Sequence, residues 1–334
     1  MAGTRTTGRR AAGSPPARRR AAGAAAALAR RLGQALLTLF VGSVLVWSLL
    51  AWAPGDPARR VLAANNIPHP TAAQVQAKRA ELGLTGHPAA RYGRWLAGAV
   101  RGDLGTSWAT GRPVAAEIGA RLPATLRLTA AAVAVALGLA LVLGVLAAIG
   151  GRWVDAAVRA VSAGALVLPG FVLALLLLHV VVLRLGHFRV VADGTWSTAP
   201  LPALTLALGT AATWSRLLRA GLLTAHGAGH VEVARARGAG RLRILVAHDL
   251  PNAAVPFLTA VGTGVAALLG GAPIIETVFT WPGVGRYAVQ GITARDLPVV
   301  QAYTLLAISA YVAVSLLVDL AVTLIDPRTA DRRG

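Results

Sequence analysis

Few residues of this chain have the type and spacing that chemistry needs. Ser162 and Ser215 could serve as nucleophiles with His179 as base, the arrangement of an intramembrane protease, but no nucleophile motif surrounds either serine. His226 and His230 have the spacing of a metal pair on one helical face, yet Gly227 and Gly229 weaken the helix that the spacing requires. The chain has no cysteine, which excludes disulfides, thiolate catalysis and Cys-ligated metals, and Met1 is the single methionine. No G-x-x-x-x-G-K-[ST] phosphate loop is present and Lys78 is the only lysine, so the chain does not hydrolyse ATP by that mechanism. No cofactor is expected in this chain, and no enzymatic activity. What remains is work done by shape, by position in a membrane and by partners.

The composition agrees. At 334 residues, 55% hydrophobic and 14% charged, the chain is too apolar for a soluble domain of its size and reads as an all-α polytopic membrane protein. Its net charge of +20 comes almost wholly from arginine and would suggest nucleic acid in a soluble protein; here no nucleic acid is expected, and the distribution of charge sets orientation. A span of the roughly 30 Å hydrocarbon core takes about 20 apolar residues. The pattern predicts about six: 32–52, 123–149, 157–183, 201–223, 253–275 and 299–325.

Six spans place both termini on one side. The segment 1–31 holds Arg5, Arg9, Arg10, Arg18, Arg19, Arg20, Arg30 and Arg31, and the loop 224–252 holds Arg235, Arg237, Arg241 and Arg243. Both are therefore assigned to the cytoplasm, with the C-terminal 326–334, while 53–122 is extracytoplasmic and long enough to cross despite its arginines. Apart from the initiator Met1, residues before Leu28 contain no large apolar side chain and are expected to be disordered, a solvated tail beside anionic lipid or, less simply, a docking tail. The first span exceeds the apolar core of a cleavable signal, and Pro54 follows the Ala51-Trp52-Ala53 site, so it is read as uncleaved.

The loop between the fourth and fifth spans is the most informative segment. Short and helix-favouring residues run from His230 to Arg237 with Val231, Ala234 and Arg235 on one face, and Gly238 is placed to end the helix in a left-handed cap. Glu232-Val233-Ala234-Arg235, then Gly238, then Leu250-Pro251 resembles the EAA loop of ABC importer permeases, the element that docks into a groove on the cytoplasmic ATPase. Val233 stands for the second alanine of that motif and His248 where many permeases carry Ile.

Further blocks extend the resemblance to the dipeptide, oligopeptide and nickel branch of these permeases. They are Ala53-Pro54-Gly55-Asp56-Pro57, Gly102-Asp103-Leu104-Gly105-Thr106-Ser107, Thr110-Gly111-Arg112-Pro113-Val114 and Arg121-Leu122-Pro123-Ala124-Thr125. Later come Glu276-Thr277-Val278-Phe279, Trp281-Pro282-Gly283-Val284-Gly285 and Ala294-Arg295-Asp296-Leu297-Pro298. The resemblance implies a type I ABC importer permease fold and a membrane permease subunit for peptides, with nickel or a metal chelate as the alternative cargo. It also implies the partners: a second homologous permease, two ATPase subunits that bind ATP and Mg, and an extracytoplasmic substrate-binding protein.

Other elements follow from local chemistry. Asp56-Pro57 suits a helix start, Thr71 with Gln74 reads as a capping box opening a helix that stops near Gly83, and another helix is expected from Pro88 to Val100. Trp281 suits a membrane-interface anchor, and Pro282-Gly283 with Gly285 a tight turn holding a short helix across the outer mouth. Asp319 is expected to pair or to reach toward the interface rather than to relay protons, Arg216 and Arg219 to reach toward the interface, and His179 to make a structural hydrogen bond, with a ligand role as the alternative. Gly262, Gly264, Gly270 and Gly271 suit close helix packing or the wall of a substrate path. A secondary transporter would need an inverted repeat around central charges, and neither is evident.

Overall fold

A computed structural model describes residues 17–52, 55–186 and 191–325, with side chains at 29–49, 55–186, 191–318 and 320. Most of the arginine-rich tail, Ala53-Pro54, the side chain of Asp319 and the segment 326–334 lie outside the described residues. Among the described residues the regular structure is all helix, joined by turns and loops, apart from one antiparallel bridge between Thr106 and Pro113.

In chain order the helices are α1 (Ala17–Trp52), α2 (Pro57–Ala64), α3 (Ala72–Glu81), α4 (Pro88–Val100), α5 (Val114–Ile149), α6 (Gly151–Val167) and α7 (Gly170–Leu177). Then follow α8 (Pro200–His226), α9 (Gly229–Ala236), α10 (Arg241–Ile244), α11 (Leu250–Val278), α12 (Val284–Ala294) and α13 (Leu297–Ile325). Two wider, π-helical turns extend α7 over Leu178–Arg184 and join α10 to α11 over Leu245–Asp249.

By length and composition, Ala29–Leu49, α5, the run Arg241–Val278 and Leu297–Val318 can each cross a membrane, and α6 with α7 makes a fifth crossing if the pair is one span. The 27 residues of α8 reach about 40 Å, enough to cross, but this helix is less apolar and is enclosed by its neighbours. The expected third span is not one continuous helix: α6 and α7 meet at 102°. Pro169 has no N–H to give and holds Leu168 extended at ψ 122°, which ends α6 there. Two starts also differ from expectation. α1 is helical from Ala17, where alanine and arginine are strong helix formers, so expected disorder up to residue 27 does not hold over its last part. α5 begins at Val114 and carries Pro123 inside it rather than starting there.

The core is a pairing of α5 with α8 through small side chains. Ala132, Ala136, Ala140 and Gly144 recur every fourth residue on α5, and Ala203, Ala207 and Ala211 do so on α8; the alanines are essentially fully buried. Small residues at this spacing let backbones approach, the main source of helix adhesion where lipid is as apolar as leucine. A Cβ on Gly144 would stand 3.0 Å from the Leu218 side chain and from the Ser215 carbonyl. Trp214, also buried, donates its indole N–H to the Ala260 carbonyl at 3.2 Å and so ties α8 to α11.

Short helices precede the bundle. Asp56 caps α2 by accepting from the Ala58 N–H at 3.0 Å, and Thr71 with Gln74 forms a reciprocal capping box on α3. Tyr92 of α4 meets α1 through a 2.8 Å hydrogen bond with Ser43 and an edge contact with Trp47.

Candidate functional site

At one end of the bundle, α9 projects between the end of α8 and the start of α10. Its inward face is Val231, fully buried, and the half-buried Ala234; Glu232, Val233 and Arg235 are exposed. Arg235, one turn on from Val231, keeps the expected common face although it is exposed, its Nη2 standing 2.8 Å from Nε2 of His226 at the end of α8. Gly238 has φ +83°, and the Gly238 and Ala239 N–H groups donate to the Arg235 and Ala234 carbonyls at 3.0 and 3.1 Å, closing the helix in a left-handed cap. No atom lies within 4 Å of the position a Gly238 Cβ would take, so glycine is required by backbone conformation and not by crowding.

The expected hydrophilic loop does not run on to Pro251. Helix resumes at Arg241, and Leu250-Pro251 stand at the head of α11, directly after the π-helical turn. That turn widens the helix where Pro251 has no N–H to contribute.

At the opposite end, residues far apart in the chain close on one another. Trp281 is fully buried and donates its indole N–H to the Ala124 carbonyl at 3.0 Å. It is therefore a pin between α5 and the α11–α12 turn and not an interface anchor: the turn through Thr280, at φ +55°, carries the indole inward. Pro282-Gly283 does form the tight turn, with the Gly283 N–H donating to the Trp281 carbonyl at 2.8 Å. A Cβ on Gly283 would fall on the Glu276 carboxyl group, and one on Gly285 would lie 2.6 Å from the Pro273 Cα. These glycines admit the buried Glu276 side chain.

A second clasp lies beside it. Asp296 is 2% exposed and accepts from the Ser107 hydroxyl at 2.5 Å and from the Trp108 and Ala109 N–H groups at 3.1 and 3.2 Å. Nearby, Asp193 is held down to about 2 by the Thr195 and Thr198 hydroxyls and the Thr195 N–H. Burial, and after it the Asp296 charge, pushes the Tyr287 hydroxyl up, while the Arg121 guanidinium stacks 4.6 Å from the Tyr287 ring centre. An open depression of about 450 Å³ at this end is lined by Arg112, Glu117, Arg121, Arg127, Asp193 and Pro282, among others.

Between the two ends, a cavity of about 740 Å³ lies where the α6–α7 bend faces α8 and α11. Phe171, Thr205, Thr210, Thr213, Thr263 and Gly271 are among its lining residues, which include no charged residue and no histidine. The glycines of α11 divide their work. A Cβ on Gly262 would strike Val318 of α13 and one on Gly264 the Trp214 ring, which are packing demands; Gly270 faces open space, and Gly264 and Gly271 border the cavity.

The remaining candidates resolve as structure. Ser162 and Ser215 are buried with their hydroxyls 3.4 Å apart, and Ser215 donates to the Ala212 carbonyl; among the described residues no imidazole bonds either one. His179 is exposed on the π-helical turn after α7. Arg219 makes a two-pronged contact with Asp155 of α6, 2.7 Å at Nη2, so it is paired and does not reach for the interface; Arg216 is exposed. No group of three or more potential ligands among the described residues is placed to hold a metal ion. The pairs Asp155–Arg219, Asp249–His226, Glu276–Thr125 and Asp296–Ser107 escape a local reading of the sequence because each spans more than twenty positions.

Comparison with known proteins places this arrangement. Residues 140–331 match the family of binding-protein-dependent transport system inner membrane components. Over 299 residues the chain is 34% identical to the glutathione transport system permease protein GsiC of Escherichia coli (strain K12), an alignment covering 89% of this chain and 96% of that protein. The protein of the same name in Shigella flexneri serotype 5b (strain 8401) aligns with the same identity and coverage. A solved structure of the MetNI methionine ABC transporter, in inward-facing conformations, shares the fold: TM-score 0.52 at 21% identity, covering 61% of this chain and 93% of that one.

Proposed function

The chain belongs to the binding-protein-dependent inner membrane transport components and is a multi-pass permease subunit of an ABC importer; on that premise we propose that it carries small peptides and takes its energy through α9. The observation that supports peptide cargo is the uncharged cavity beside the α6–α7 bend. Its threonine hydroxyls and small-residue walls offer weak, dispersed polarity, which suits a flexible polar molecule that must enter and leave again. A bare transition-metal ion would favour imidazole, thiolate or thioether, and none of these lines it. Glutathione, named for the relatives in E. coli and Shigella, is one candidate peptide.

The energy enters at the other end. Arg235, Arg237, Arg241 and Arg243 assign the α9 end to the cytoplasm. There the exposed Glu232 and Val233 would seat in an ATPase subunit, with Gly238 allowing close approach. ATP and Mg bind in the ATPase pair; in this reading their closure moves α9, swings the helices around the cavity toward the outside, and hydrolysis resets them. A second permease supplies the facing half of the path. The α12 end, with Trp281, Pro282, Gly283 and Gly285, forms the outer closure on which a binding protein delivers substrate.

Uptake by the complete reconstituted transporter decides the cargo. Labelled small peptides and glutathione are expected to accumulate and to compete with one another. Radioactive nickel that accumulates without competition from peptides would overturn the assignment.

A further inference from the structure

The α9 loop is tied to the bundle by a three-residue chain of polar contacts. Asp249, the last residue of the π-helical turn, is 4% exposed; its Oδ2 lies 2.8 Å from Nδ1 of His226 at the end of α8. The opposite ring nitrogen, Nε2, lies 2.8 Å from Nη2 of Arg235 on α9. The two neighbours set the tautomer. A carboxylate only accepts, so Nδ1 carries the hydrogen; a guanidinium only donates, so Nε2 offers its lone pair. Among the described residues Oδ1 of Asp249 has no hydrogen-bond partner, so the buried carboxylate depends on His226. A second contact runs beside the first, the rings of His230 on α9 and His248 in the π-helical turn standing 5.8 Å apart.

We propose that His226 and Asp249 are positioning residues that transmit movement of α9 to α8 and α11, the two helices that wall the cavity. The inference rests on α9 being the docking helix. Its physical basis is directional. α9 is only eight residues long and buries one large side chain, Val231, so packing alone gives it a weak grip. Arg235 adds a grip with fixed geometry: pulling α9 pulls the imidazole, whose other nitrogen is bonded to a carboxylate rooted at the head of α11. The π-helical turn supports this, because its extra residue sets Asp249 toward the end of α8 instead of around the helix axis. A flexible or purely apolar joint would let α9 turn with the ATPase while the cavity helices stayed still.

The test uses the reconstituted importer with its ATPase and binding-protein partners, reading membrane level, co-purification of the ATPase, ATP hydrolysis and peptide uptake. His226→Ala is expected to assemble and hydrolyse ATP at the unmodified rate, while uptake per ATP falls at least fivefold. Asp249→Leu is expected to show the same loss; Asp249→Asn, which keeps an oxygen to accept from Nδ1, is expected to retain at least half of normal coupling. Unchanged uptake per ATP in His226→Ala overturns the proposal, as does an Asp249→Asn variant as impaired as Asp249→Leu. Gly238→Leu separates this from the reading beneath it. If that variant also transports normally, α9 is not the docking helix; if it is impaired and His226→Ala is not, the relay alone fails.

Discussion

The Thr125 hydroxyl donates a 2.6 Å hydrogen bond to Oε1 of the fully buried Glu276 and accepts the Val284 N–H at 2.8 Å. One hydroxyl therefore joins α5 to α11 and to the first residue of α12. The second carboxyl oxygen of Glu276 accepts from the Arg286 N–H at 2.8 Å, so the whole α11–α12 turn is organised around this side chain.

Replacing Thr125 by valine keeps the shape and removes both bonds. Each buried group left unpaired costs about 1–3 kcal/mol, so a loss of roughly 2 kcal/mol or more is expected. Thr125→Ser should lose far less. Thermal unfolding of the detergent-solubilised importer checks this; equal melting temperatures for Thr125→Val and the unmodified chain would show that the clasp contributes nothing.

Gly238→Leu forces a branched side chain into φ +83°, at a cost of about 1–2 kcal/mol borne by the α9 cap and not by any span. The protein is expected to reach the membrane at normal level and to lose uptake. Bulky residues at both Glu232 and Val233, which are exposed, should do the same by blocking the docking face. Normal substrate-stimulated ATP hydrolysis in the assembled variants would refute the docking role.

Thr213→Phe and Thr263→Phe fill the cavity from α8 and α11 without removing a contact to another helix, since each hydroxyl bonds only to its own helix backbone. Uptake of the larger peptides should fall at least tenfold, and that of the smallest should fall less. Gly270→Ala, facing open space on the same helix, is the control expected to transport normally. Uptake unaffected by either phenylalanine would remove the cavity from the path.

Deleting residues 2–27 should leave orientation and uptake intact. Arg30 and Arg31 remain at the very start of the candidate span Ala29–Leu49, and they suffice for a positive-inside signal. Labelling of sites on either side of the membrane would reveal an inverted chain, and a lost transport rate at normal protein level would show that the tail functions.

How far the sequence alone carries depends on the range of the interaction. Asp56, Thr71 with Gln74, and Gly238 are legible because a cap is settled within three or four residues, and the apolar windows because a span depends on its own composition. Pro169 carries the same kind of local signal, yet in a stretch this hydrophobic the averaged hydropathy hides the break. Trp281 fails differently. Tryptophan beside proline at the end of a span fits an interface anchor, and only the path of α5 behind it reveals a buried pin. Asp249 reads as a polar loop residue until His226, one loop away, is known to stand against it. Glu276, Asp296 and Asp155 belong to the same class, since a carboxyl group can be placed only with its partner, and periodicity does not name partners.

The long-range clasps also fix an order of assembly. Ser107 meets Asp296 across 189 positions, Ala124 meets Trp281 across 157 and Thr125 meets Glu276 across 151. At 5–20 residues per second, synthesis of the longest of these intervals takes about 10–40 s. During that time the turn at Ser107–Thr110 has none of its Asp296 bonds, and the site for the Trp281 indole on α5 stands empty. The end of the bundle that is translated first is thus completed last, by α12 and the beginning of α13. A chain cut short between His226 and Asp296 has both α5 and α8 yet lacks the Asp296 clasp at their far end, which leaves a marker by which incomplete permeases differ from finished ones before any partner arrives.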